Sequence, residues 1–88
     1  MIERKVKIVN KLGLHARPAS LFAKTAEKFV SEITVEKDGM EVDGKSILGL
    51  MMLVADKDSY LTIRANGPDE KEAIEALVKL VEEGFGED

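Results

Sequence analysis

One histidine occurs in the 88 residues, His15, and it is followed closely by Arg17 and Pro18. With no cysteine in the chain, thiol catalysis and thiolate metal ligands are excluded together. A single imidazole also falls far short of the ligand set that a protein metal site needs, so no metal and no cofactor is expected. No nucleophile-elbow pattern supports a Ser-His-Asp arrangement. Two readings of His15 then stand: a surface histidine that starts a helix, or an imidazole that is itself the nucleophile. Gly13 permits a tight turn just before it, and Pro18 suits the first turn of a helix, where a missing N–H costs nothing. Free backbone N–H groups and the positive end of the helix dipole make such a place hospitable to an anion. Arg17 adds a guanidinium fork suited to phosphate.

A second group of residues lies at Ser46, which precedes the apolar run Ile47-Leu48-Gly49-Leu50-Met51-Met52-Leu53-Val54. Serine is a natural N-cap, so a short helix is predicted to begin there. Apolar side chains on every side of a short helix in so small a protein leave some of them facing water. Some of Ile47, Leu48 and Met51 are predicted to form an exposed apolar patch, the usual mark of a partner site. Methionine suits a surface that repacks against more than one partner. A phosphate on Ser46 would be tolerated at a helix start and would add charge beside that patch.

The elements that must position these residues follow from periodicity. Ile2, Val6 and Ile8 share one face of a strand over Ile2–Val9, with Arg4 the exception. Ala19, Phe22, Ala23, Ala26, Phe29 and Val30 recur at helical spacing and predict a helix from Ala16 to about Lys28. Two alternating segments, Ile33–Lys37 and Met40–Asp43, flank Asp38-Gly39, a two-residue hairpin signal. Tyr60–Ala65 is a fourth strand, with Leu61, Ile63 and Ala65 facing inward. Asp69 with Glu72 predicts a capping box. Ile74, Leu77, Val78 and Val81 then mark a last helix, which Gly84 closes. The order is βαββαβα, and residues 1–88 read as a single domain. An α/β fold of the α+β kind is expected, an open-faced sandwich with three helices on one face of a four-stranded sheet. Lys5, Lys7, Thr34, Glu36, Thr62 and Arg64 are expected on the other face, toward water.

Composition narrows the function. Apolar residues make up 44% and charged residues 34%, the balance of a folding chain. A net charge of −4 and a pI near 5.0 argue against nucleic acid as a partner. Of the four aromatic residues, Phe22 and Phe29 fall on a helix's apolar face, which leaves no base-stacking platform. The first 28 residues nevertheless carry seven cations against Glu3 and Glu27, a locally positive region around His15 that suits an acidic partner or a phosphate. No apolar run approaches the ~18 residues of a membrane span, and no leader precedes the first strand, so a cytoplasmic monomer is expected. The abundance of Lys and Glu without Gln, Cys or Trp resembles heat-adapted composition.

Gly13-Leu14-His15-Ala16-Arg17-Pro18-Ala19 resembles the active-site signature of the HPr family, histidine-containing phosphocarriers of the phosphoenolpyruvate-dependent sugar phosphotransferase system. Lys45-Ser46-Ile47-Leu48-Gly49-Leu50-Met51 resembles the family's second signature, the regulatory serine region, at the expected separation. The resemblance spans the chain. It implies that enzyme I phosphorylates His15 on Nδ1 and that the phosphoryl group passes to a IIA domain of a sugar permease, with Arg17 compensating the charge. It implies partner docking through Ile47, Leu48, Met51 and Ser20. It further implies Ser46 as the target of an HPr kinase/phosphorylase, in a form read by a catabolite-control transcription factor. The paralogue that lacks the active histidine fits less well, because His15 is present. Val54 and Asp58 depart from the family, standing where glycines are common, and Asn66 stands where an acidic residue is frequent.

Overall fold

The computed structural model of the chain describes residues 1–87. The elements are β1 (Ile2–Lys7), α1 (Ala16–Ala26), β2 (Glu32–Lys37), β3 (Met40–Asp43), α2 (Ile47–Met52), β4 (Tyr60–Asn66) and α3 (Glu70–Glu82), followed by a 3-10 turn at Gly84–Gly86. This is the predicted βαββαβα order. All pairings are antiparallel in one sheet of order β1-β4-β2-β3. The register sets Val6 beside Leu61, and Val35 between Ile63 and Val42. The strands' apolar side chains thus line one face. Val6, Ile33, Val35, Leu61, Ile63 and Ala65 are buried there against Ala19, Phe22, Ala23 and Ala26 of α1 and Ile74, Leu77 and Val81 of α3.

The opposite sheet face is polar, as the alternation required. Its centre is Arg64 on β4, whose guanidinium reaches Glu3 on β1 (2.7 Å), Glu36 on β2 (2.7 Å) and Glu41 on β3 (2.9 Å). One side chain therefore ties all four strands together across an exposed surface. The hairpin turn also forms as its sequence predicts, with Asp38 at φ 51° and Gly39 at φ 86°.

Three local expectations need correction. The first strand pairs only to Lys7, and α1 stops at Ala26. At that helix end the ladder tightens, with Lys28 N–H donating to Thr25 O and Phe29 N–H to Ala26 O. Val30, counted with the apolar face, lies beyond this turn and is exposed. The capping box between Asp69 and Glu72 does not form. Asp69 occupies the N-cap of α3 but turns its carboxylate away, accepting the N–H of Val30 and of Ser31 at 3.0 Å each and also the Ser31 hydroxyl. Glu70 instead accepts the Gly67 N–H at 3.1 Å. The corner between α1 and β2 offers better donors than the helix Asp69 begins, and it wins the carboxylate.

Candidate functional site

His15 is the N-cap of α1, in extended backbone, and its side chain makes no cap hydrogen bond. The turn before it is built from Asn10 to Gly13, whose N–H donates to the Asn10 carbonyl. Gly13 has φ 69°, and a Cβ there would drive into the Ala55 carbonyl oxygen. Glycine is thus demanded twice, by conformation and by close approach. Ala55 O accepts the Leu14 N–H at 2.8 Å, and Leu14 is buried, so the His15 loop is fastened to the segment that leaves α2. Behind His15, Pro18, Ala19 and Phe22 enter the core and hold the helix start in place.

The imidazole is half-buried and has one hydrogen-bond partner among the described residues, a carboxylate 72 positions away. Nε2 lies 3.1 Å from Glu87 Oε1. A carboxylate can only accept, so Nε2 carries the proton and donates it; in the neutral ring Nδ1 then keeps its lone pair. The same Oε1 accepts from Asn10 Nδ2 at 3.1 Å. Asn10 also donates from Nδ2 to the Gly13 carbonyl at 2.7 Å, and it is buried with no partner for its own Oδ1. The donation from His15, then that from Asn10, with the nearby Arg17 charge adding to them, hold the Glu87 carboxyl below its ordinary range, against partial desolvation.

Glu87 reaches this position because the tail folds back. Gly84, Phe85 and Gly86 all adopt left-handed backbone, at φ 67°, 57° and 74°. Phe85 pushes its ring into the core at 5% exposure and pins the turn. Neither Asn10 nor Glu87 was singled out by sequence reasoning. Asn10 opens the loop that carries His15, directly after the apolar pair Ile8-Val9, which is the one signal that points to it; nothing local marks Glu87.

The other predicted site residues fall where the spacing put them. Arg17 is exposed in the first turn of α1, beside His15 in a shallow depression lined also by Lys11, Leu12, Gly86 and Glu87. It makes no hydrogen bond or ion pair among the described residues, so its fork is free. Ser46 caps α2, its Oγ accepting the Gly49 N–H at 3.0 Å. Ile47 (42%), Leu48 (71%) and Met51 (41%) are exposed, while Leu50 alone of the helix is buried, so the apolar patch exists. It is wider than expected: Met52 (57%) is exposed on the same helix, and Leu12 (69%) and Val54 (68%) line a shallow depression with Met51 and His15. Ser20 is half-buried on α1, which packs against α2. No cluster of three or more metal-ligating side chains occurs among the described residues, and none of their helices is long and apolar enough to cross a membrane.

Residues 2–83 match the family model described as "PTS HPr component phosphorylation site". The chain is 46% identical over 87 residues to "Phosphocarrier protein HPr" of Cupriavidus necator, covering 99% of this chain and 98% of that protein. It is also 46% identical over 83 residues to "HPr-like protein Crh" of Bacillus subtilis, covering 94% and 98%. Among solved structures, HPr-C-His from Thermoanaerobacter tengcongensis superposes with a TM-score of 0.96 at 52% identity, over 100% of this chain and 99% of that one. An HPr dimer from the same organism superposes with a TM-score of 0.79 at 53% identity, over 99% and 100%.

Proposed function

The chain belongs to the HPr family, and from that premise we propose that it carries a phosphoryl group on His15 between enzyme I and IIA domains of sugar permeases. The family supplies the phosphocarrier role in the phosphotransferase system. The observation that carries the residue assignment is the 3.1 Å contact of His15 Nε2 with Glu87, which leaves Nδ1 as the free nucleophile.

The step follows from that geometry. Nδ1 attacks the phosphorus held by the donor enzyme; the new N–P bond forms as the donor's bond to phosphorus breaks. The imidazole keeps its proton on Nε2 and takes on positive charge, which the Glu87 carboxylate faces directly. Arg17, with no competing partner among the described residues, is left to meet the phosphoryl oxygens as negative charge arrives. Helix α1 adds N-terminal N–H groups and its dipole, an interaction worth only about 0.3–1 kcal/mol when exposed. Such modest stabilisation suits a group that must be handed on, because a tightly held phosphate would not leave for the acceptor. The apolar surface of Leu12, Ile47, Leu48 and Met51, together with Ser20, docks both partners in turn, and His15 lines a depression with Leu12 and Met51. The carrier acts as a cytoplasmic monomer that needs no cofactor.

Incubation with enzyme I and labelled phosphoenolpyruvate should place an acid-labile phosphate on the protein. The His15→Ala variant should take up none. Labelling that persisted in that variant would overturn the assignment.

A second reading is favoured by the likeness to the Crh protein, whose solved structure is described by its role in catabolite repression. We propose that Ser46 is phosphorylated by an ATP-dependent kinase of the HPr kinase/phosphorylase class, giving a form that a catabolite-control transcription factor reads. Ser46→Ala should abolish that binding and leave histidine transfer intact. Equal binding of the kinase-treated wild type and variant would sink this reading.

A further inference from the structure

Asn10 is buried, and its Oδ1 is the one buried side-chain polar atom without a hydrogen-bond partner among the described residues. The orientation of the amide explains the orphan. Nδ2 carries two hydrogens and meets two acceptors, the Gly13 carbonyl at 2.7 Å and Glu87 Oε1 at 3.1 Å. Turning the amide over would set Oδ1 against both of those oxygens, so the two donations fix its orientation and the acceptor goes without. The Asn10 backbone carbonyl also accepts the Gly13 N–H at 3.2 Å, so one residue grips Gly13 from both sides. Gly84, in the tail that brings Glu87 back, lies over Asn10: a Cβ on it would meet Asn10 Cβ at 3.7 Å, ordinary contact. A single buried side chain thus joins the turn before His15 to the carboxylate that faces the ring.

We infer that Asn10 is a positioning residue for phosphoryl acceptance, holding Glu87 Oε1 where the His15 Nε2–H donates to it and fixing that oxygen relative to the histidine loop. The inference rests on the carrier reading above. A neutral amide suits this task better than a cation. Lysine or arginine here would pair with the carboxylate and weaken its answer to the imidazolium, whereas an amide orients the oxygen and leaves its charge for the ring. A carboxylate in place of the amide would have no hydrogens to give and would repel Glu87. The Glu87 side chain is only 19% exposed, so water competes poorly for its oxygens. Without the amide the tail keeps buried Phe85 as its anchor, but Oε1 loses the donor that selects its position.

The test compares Asn10→Ala, Glu87→Ala and the double variant with wild type, each as the full chain. In Asn10→Ala the Glu87 carboxyl, followed by 13C NMR, should titrate closer to the ordinary glutamate range, because a donor to its charged form is lost. The 15N shifts of His15 should show the Nε2-protonated tautomer less favoured. Single-turnover acceptance from phosphorylated enzyme I should slow roughly threefold, a coupling at the low end for members of one network. In the Glu87→Ala background the same substitution should change that rate by less than about twofold, because the group it positions is gone. Asn10→Ser, which retains one donor, gives the same readings in smaller shifts where the alanine variant does not fold. A lowered unfolding midpoint with unchanged Glu87 titration, tautomer and acceptance would make Asn10 a packing residue and overturn the inference. Equal slowing in both backgrounds would overturn it too. No label on His15 in the wild type, with the Glu87 and His15 shifts still responding to Asn10, would instead overturn the carrier reading and leave the coupling standing.

Discussion

Two carboxylates, Asp69 and Glu87, sit at opposite ends of the chain's logic. Asp69 accepts from two backbone N–H groups and the Ser31 hydroxyl, all of them fixed donors that keep their protons. Its corner is saturated, and it joins the β4–α3 turn to the start of β2. Glu87 accepts from Asn10 and from His15, a ring whose charge changes during the proposed reaction. Its surroundings are unsaturated: among the described residues, Asn10 Oδ1 is buried without a partner and Arg17 makes no ion pair. The same functional group thus serves as a clamp in one place and as a counter-charge in the other. The difference lies in what the donors can do, since a backbone amide has one state and an imidazole has several.

Three substitutions test this contrast, from the largest effect to the smallest. Phe85→Ala removes the buried ring that brings Glu87 to His15 and should cost about 3 kcal/mol of stability, measured by denaturant unfolding. It should also slow phosphoryl acceptance; transfer at the wild-type rate would show that Glu87 needs no anchor. Asp69→Asn should lower the unfolding midpoint and leave transfer untouched, because the clamp lies away from the acceptor. The pH dependence carries a sign. The Ser31 hydroxyl first, then the Val30 and Ser31 amides, hold the Asp69 carboxyl below its ordinary value. Its contribution is therefore complete above about pH 4 and is lost as the pH falls through the lower folded value. Asp69→Asn should accordingly flatten the loss of stability in acid, and an unchanged acid profile would assign that loss elsewhere. Glu87→Gln should scarcely move the unfolding midpoint, yet it should slow acceptance roughly tenfold, as expected for lost positioning. Imidazole 15N shifts should then show the Nε2-protonated tautomer less favoured; unchanged shifts would mean the carboxylate does not choose it.

Much of the fold was legible because each element carried its own period. Val6, Leu61, Ile63 and Val35 alternate, and Ile74, Leu77, Val78 and Val81 recur at helical spacing, so core and water faces were readable before any contact was known. The exposed patch of Ile47, Leu48 and Met51 was legible for a related reason: a six-residue helix cannot bury apolar side chains on all sides. The capping box failed because a local pattern cannot anticipate competing donors, and Ser31 lies 38 residues from Asp69.

The order of elements, the lone histidine at a helix start, its neighbouring guanidinium and the apolar surface beside Ser46 are all readable from residues in succession. Each of these depends on residues a few positions apart, and local spacing governs them. Long-range packing is what sets Glu87 to fix the proton on Nε2, lets buried Asn10 share that carboxylate, and leaves Val54 in left-handed backbone after α2. Those facts depend on where the tail and the segment after α2 come to rest. Packing of Phe85 and Ala55 against the core sets that, and no short-range pattern records it.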